Sequence, residues 1–308
     1  MSAQFGRTAR LALLASLLPA LASGCSIKRF AVNKLGDALA ESGSSYASDD
    51  DPDLVRDASP FALKMIESLI EQSPRHRGLL LAAASGFTQY AYGFVREDAD
   101  EMEDRDLAAA AALRLRARRL CLRARDYGLR GLAVTHADFA ERLRADRPAA
   151  LAEAAGRDVP LLYWTAASWG AAISLSKDDP DMVADLGTVE GLIRRALDLD
   201  PDYDGGALHE LLITYEGGRS DAMGGSVERA REHFERAVAL SRGRRASTFL
   251  ALAESVSIRN QDRGEFETLV RQALAVDPDA DPEHRMVNLV MQRRARWLLA
   301  RTDALFAD

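Results

Sequence analysis

Five histidines, two cysteines and one Asp-rich turn are the residues of this 308-residue chain that could make it a catalyst or a metal protein. The histidines are His76, His136, His209, His233 and His284, and no two stand at metal-ligand spacing on one predicted helix. His209-Glu210 begins like a zinc-protease helix, but Ile213 occupies the place of the second histidine. Asp200, Asp202, Asp204 and Gly205 match the first half of a calcium loop. The closing chelator would fall at Leu211, and Pro201 fits that loop poorly, so a turn capped by aspartates is expected instead. The segment Gly217–Gly225 is glycine-rich, yet no strand precedes it and no Gly-Lys-Ser/Thr follows. It is expected to join two helices, with Ser226 as N-cap of the second. Cys121 is expected to be a small buried apolar residue on a helix. No nucleophile, base and orienting group come together, and the expectation is a non-enzymatic chain without metal or cofactor.

Cys25 is the other cysteine, and its setting is different. Arg7 and Arg10 form a short basic start, Leu11 to Leu21 is an apolar run, and Ala22, Ser23 and Gly24 lead into the cysteine. This is the layout of an export signal. The run is shorter than the roughly 20 residues needed to span a bilayer. A cleavage site ending on Gly-Cys resembles the lipobox of bacterial lipoproteins, although leucine stands at Leu21 rather than at Ala22, three places before the cysteine. Cleavage would make Cys25 the acylated new amino terminus; an ordinary signal cut near Ala22 or Gly24, or an uncleaved anchor, is the alternative. Residues 1–24 are thus expected to be a lipoprotein signal peptide, 25–56 a lipid-attached tether and 57–308 a helical body. Ser26 does not settle the membrane leaflet.

Losing Arg7 and Arg10 with the signal moves the formal net charge from −7 to −9. An acidic chain has no long-range attraction for nucleic acid or anionic lipid, so nucleic acid is excluded as a partner and membrane attachment is assigned to the lipid. One region runs against this balance: arginines at 114, 116, 118, 119, 123, 125 and 130 follow an acidic run from Glu97 to Asp106. A solvated face with partly paired charges is the expectation, and a docking surface for an acidic partner is the other reading.

The elements that must position these residues are helical. Phe30 to Leu39 is a short amphipathic stretch, and Glu41 to Asp53, rich in Ser and Asp, reads as a solvated loop. From Ser59-Pro60 onward apolar residues recur at three- and four-residue spacing, as in Phe61, Met65, Ile66, Leu69 and Ile70. Further helices are expected over about 79–95 and 106–132, the latter with Leu113, Ala117, Leu120, Cys121 and Ala124 on one face. No stretch alternates with period two. Three helix ends look alike: Ile193–Pro201, Phe234–Arg242 and Val270–Pro278, whose central alanines Ala196, Ala237 and Ala273 lie 41 and 36 residues apart. Such periods mark helix-pair arrays. Ala230, Phe234 and Ala237 match the small, large and small positions of the second helix of a tetratricopeptide repeat, and Pro201 and Pro278 its closing proline. The preceding helix, Ala207 to Glu216, supplies Leu208, Leu211, Leu212 and Tyr215. The fold expected is all-α, a degenerate tetratricopeptide-like helix-pair array (α-solenoid) whose pairs bury their apolar stripes against neighbours.

Aromatic residues cluster on two of these helices: Phe87, Tyr90, Tyr92 and Phe94 on one, and Tyr163, Trp164 and Trp169 on another. Trp164 and Trp169 are five residues apart and cannot point the same way on a regular helix. Packing in the core accounts for all of them; a ligand cavity lined by Phe87, Tyr90, Phe94, Trp164 and Trp169 is the functional alternative.

The runs 61–67 and 86–94, the segment Arg123–Leu129, Tyr163-Trp164 with Trp169-Gly170, the helix 230–237 and the tail from Asn288 to Leu299 together resemble the TatT family. These are the T components associated with tripartite ATP-independent periplasmic (TRAP) transporters. The resemblance covers about residues 25–305 and rests on the order of motifs and the lipoprotein start. It implies a periplasmic lipoprotein that docks a TRAP-type substrate-binding protein, forms a homotrimer, and has a pore or cavity that binds or passes on a small hydrophobic or organic-acid ligand. A generic helical-repeat assembly lipoprotein of the cell envelope is the alternative reading, and an enzyme with an unrecognised helical site a more distant one.

Overall fold

The computed structural model describes Lys34 and residues 46–307. The signal segment, the acylation candidate Cys25 and the amphipathic stretch 30–39, apart from Lys34, lie outside the described residues. Every regular element among the described residues is helical.

Helix α1, Pro52–Gln72, begins seven residues before the start read from Ser59-Pro60. Asp51 is the reason: its carboxylate accepts from the amides of Asp53 and Leu54, and Pro52 suits the first helical position. Pro60 therefore lies inside the helix, and residues 52–56, assigned to the tether, are helical. The segment just before α1 is held as well, since Arg285 donates to the carbonyl of Ser48 at 3.1 Å.

Helix α2, Arg77–Tyr90, runs on through a π turn, Ala91–Val95, into α3, Arg96–Met102. The sequence reading ended this helix near residue 95. The acidic run 97–106 supplies the end of the helix and the Asp106 cap of the next. That next helix, α4, is Leu107–Ala133, and Ala117, Cys121 and Ala124 of its expected apolar face are fully buried. Short helices α5 (Phe139–Ala145) and α6 (Arg147–Ala152) lead to α7, Val159–Ser174. α7 is apolar nearly all round, as a helix packed on several sides must be. Its closest approach is to α4 at Gly128, where a Cβ would meet the Thr165 hydroxyl oxygen at 2.2 Å. After α8 (Pro180–Ala184) come α9 (Leu186–Leu199), α10 (Ala207–Gly217), α11 (Val227–Ser241), α12 (Ala246–Leu252), a second π turn (Ala253–Ser257), α13 (Arg263–Ala275), α14 (Arg285–Ala300) and α15 (Thr302–Leu305).

The three look-alike helix ends belong to α9, α11 and α13, and their alanines 196, 237 and 273 are all buried at 1 % exposure or less. Small residues there let each helix lie close to its neighbour. The glycine-rich segment is the expected α10–α11 connection, and Ser226 accepts from the Arg229 amide at 3.2 Å. Buried Glu216 ties that connection together by receiving Arg194, Arg219 and Arg229.

The sequence pattern did not disclose the path of the two ends. Packing runs from α1 and α2 to α4, α7, α9, α10, α12 and α14, and α14 packs back on α1 and on the first π turn. Val55 of α1 shares one apolar cluster with Phe249, Phe266, Met286 and Val290 of the C-terminal helices. The circuit of helices is closed.

Candidate functional site

Closure brings together charged residues separated by up to 197 positions. Arg294 of α14 is the hub. Its guanidinium meets Glu254 of the second π turn at 2.5 and 2.8 Å, Glu97 of α3 at 2.7 Å and Asp100 of α3 at 3.1 Å. Arg96 pairs with Glu97 and lies 3.6 Å over the ring of Tyr92, which belongs to the first π turn. Arg114 completes the group by reaching Asp100 at 3.2 Å. A π turn widens a helix locally, and such turns recur where a helix must present a side chain out of regular register. Here the two π turns contribute Tyr92 and Glu254 to one cluster.

Electrostatics keep this cluster charged. Burial disfavours the Arg294 cation, but Glu254 and Glu97 outweigh it and hold its pKa above the usual range. Burial likewise raises the Glu254 carboxyl, and Arg294 more than offsets it, so the carboxylate form is favoured. Arg96 pulls the Tyr92 phenol down, while burial and Glu254 push it further up, which leaves it neutral. The Glu254 side chain keeps 28 % of its surface accessible.

A second polar and aromatic group lies on the same circuit. Tyr163 of α7 touches Trp164 edge-on at 4.9 Å and Tyr203 at 5.4 Å. Burial drives the Tyr163 phenol strongly up, with Glu210 and Asp204 adding to it. Tyr163 and Trp164 are half-buried and, with Ala167 and Gly170, form the least closed stripe of α7. Glu210 of α10 accepts from Ser247 and Thr248, each at 2.9 Å. Arg245 meets Asp204 at 2.8 Å, and His284 meets the same carboxylate at 3.2 Å. The hydrogen bond His284 donates to the Asp204 carboxylate raises the His284 pKa. Asp204 reaches them because residues 204–206 all have positive φ, and a Cβ at Gly206 would lie 3.1 Å from the Ala237 Cα of α11. The Asp-rich turn thus spends its carboxylates on arginine and histidine, Asp202 going to Arg236 at 2.7 Å. Among the described residues no three His, Cys, Asp or Glu side chains are placed to hold a metal ion.

The five aromatics assigned to one cavity are spread over separate clusters. Phe87 is core, stacked on Tyr127 at 5.9 Å and packed with Leu63, Leu79 and Leu80. Trp169 is core too: its indole donates to Asp185 at 3.1 Å, and Arg125 lies over its ring. Tyr90 and Phe94 are brought together, at 6.2 Å. Phe94 also lines a cleft of about 240 Å³ where α1 and the first π turn meet α14, with Gly93, Leu289, Val290 and Arg293. Trp164 stands apart from these four, against Tyr163. Five residues apart, the two tryptophans divide as helical geometry requires. Cys121 is fully buried, and burial pushes its thiol up to about 12.

Sequence reasoning missed the Arg294 group entirely. Its only local signs were the acidic run after residue 97 and the arginine pair Arg293-Arg294, and nothing in a single sequence joins them. It also missed that His209 and His233, 24 positions apart, meet Nδ1 to Nδ1 at 2.9 Å. Burial, with His233 adding to it, depresses the His209 pKa to about 4.

A family model described as TRAP transporter T-component matches residues 48–306. A protein of Treponema pallidum (strain Nichols), described as uncharacterized, is 29 % identical over 306 residues, spanning 94 % of this chain and 95 % of that protein. No helix among the described residues is long and apolar enough to cross a membrane.

Proposed function

The chain belongs to the TRAP transporter T-component family, and from that premise we propose that it is a lipid-tethered periplasmic scaffold that docks a TRAP-type substrate-binding protein. In this reading Cys25 carries the lipid, the body assembles as a homotrimer, and the protein exchanges a small ligand with its partner rather than transforming it. The single observation that carries the reading is the family match over the whole described body. The half-buried aromatic stripe of α7 supports the ligand part. Its neutral Tyr163 phenol, the Trp164 ring and the nearby Arg245–Asp204 pair suit a molecule with an apolar body and an acidic group.

The test is to purify the full-length chain in mild detergent with the TRAP substrate-binding protein of the same organism. Co-elution at micromolar concentration is the expected result. Separate elution of the two proteins would remove the docking claim. Intact-mass analysis of the native material checks the anchor, with a lipid adduct on Cys25 expected.

A further inference from the structure

Most arginines of the Arg294 group and of the helix ends have their N–H forks filled by carboxylates. One row does not. Arg116, Arg123 and Arg130 repeat at seven-residue spacing along α4, so they share one face and span about 21 Å at 1.5 Å per residue. Each lies over an aromatic ring: Arg116 over Tyr90 at 5.7 Å, Arg123 over Phe87 at 5.4 Å and Arg130 over Tyr127 at 5.1 Å. Arg119 adds a fourth exposed cation on this side. Among the described residues Arg116, Arg119 and Arg130 have no carboxylate partner, and Arg123 has only Glu67, at 3.4 Å. Together with Leu122, Asp126 and Tyr127, three of these arginines line an open groove.

Stacking holds a guanidinium in place while leaving most of its N–H donors open; Arg116 spends one on the Tyr90 hydroxyl at 3.2 Å and Arg123 one on Glu67 at 3.4 Å. A row built this way is organised in advance for carboxylates. On one flank, Glu67 joins the row to Lys64 of α1, and that helix presents Phe61 and Met65 at 72 % and 40 % exposure. Arginine, aromatic and methionine side chains are the types enriched at protein interfaces. A free small anion would not use a row of this length. Anionic lipid is disfavoured by the net charge and by Asp51, Asp53 and Asp57 around the start of α1.

We infer that the α4 row is the surface that docks an acidic face of a partner protein. This rests on the docking reading above and names its surface. The test measures binding of the TRAP substrate-binding protein of the same organism to immobilised full-length chain at 50 and 300 mM NaCl. Changing Arg116, Arg119 and Arg130 to Glu together is expected to weaken binding at least tenfold at low salt and to flatten its salt dependence. The triple Lys variant, which keeps charge and loses the planar fork, is expected to fall between. A triple Glu variant that binds within twofold of the parent, with the parent binding well, would overturn this surface and leave the docking reading intact. A parent that does not bind at 100 μM would remove both. Arginine-dependent binding to vesicles containing 30 % phosphatidylglycerol, with none to the protein, would assign the row to lipid and also overturn the inference.

Discussion

Two groups of arginines on this chain do opposite work. Around Arg294 the cations are buried or partly buried and are paired with Glu97, Asp100 and Glu254, although the Arg96 Nε finds no hydrogen-bond partner among the described residues. Along α4 the cations are exposed, rest on aromatic rings and keep most of their donors open. The first arrangement resists change, because removing one partner strands a charge in low dielectric. The second contributes little to stability, since exposed charges are well solvated with or without a partner. The same residue type therefore closes the fold in one place and leaves a surface ready for binding in the other.

Breaking the buried group is expected to have the largest effect. Arg294→Met leaves Glu254 without its main counter-charge and Glu97 with Arg96 alone, and a loss of about 3–5 kcal/mol is expected from urea unfolding monitored by circular dichroism. Close packing between α4 and α7 supplies a second test of what holds the body. Gly128→Val drives a branched side chain into Thr165, and a loss of about 2–3 kcal/mol is expected by the same measurement. Arg114 sits at the border between the two groups, paired but only partly buried, so Arg114→Gln is expected to cost about 1 kcal/mol.

A titration sharpens the contrast between buried and exposed cations from another side. His209 is held neutral down to about pH 4, whereas in the unfolded chain it takes a proton near pH 6.5. At this site the unfolded chain thus binds more protons between those values, and the His209 contribution to stability falls as pH drops from 6.5 toward 4 and levels off below. His209→Gln is expected to remove part of that slope, by roughly 1–2 kcal/mol across the window. The smallest change is expected on the α4 row. Arg116→Gln, Arg119→Gln and Arg130→Gln together are expected to move the unfolding free energy by less than about 1 kcal/mol while altering partner binding.

The legible parts of the fold were local. Helical period over 106–132, the Ser226 cap and the buried alanines at 196, 237 and 273 follow from patterns within about 40 residues. The start of α1 was misplaced because Asp51-Pro52 is a strong start signal hidden in an Asp- and Ser-rich stretch, and because Pro60 looked like a first-turn proline. Closure was not legible, since the arginines of α14 meet the acids of α3 only after every intervening pair has stacked. The candidate site fared likewise. Trp164 and Trp169 separate as helical geometry requires, but Phe87 and Trp169 are core because each found a partner, Tyr127 and Asp185, that sequence spacing does not reveal.

The central claim is that the first and last helices form one closed body through Arg294. Hydrogen exchange with mass spectrometry on the parent chain and Arg294→Met tests it most directly. The account predicts faster exchange in Arg96–Met102 and the Ala253–Ser257 turn as well as in α14 itself. Loss of protection confined to α14, with both other segments unchanged, would contradict it.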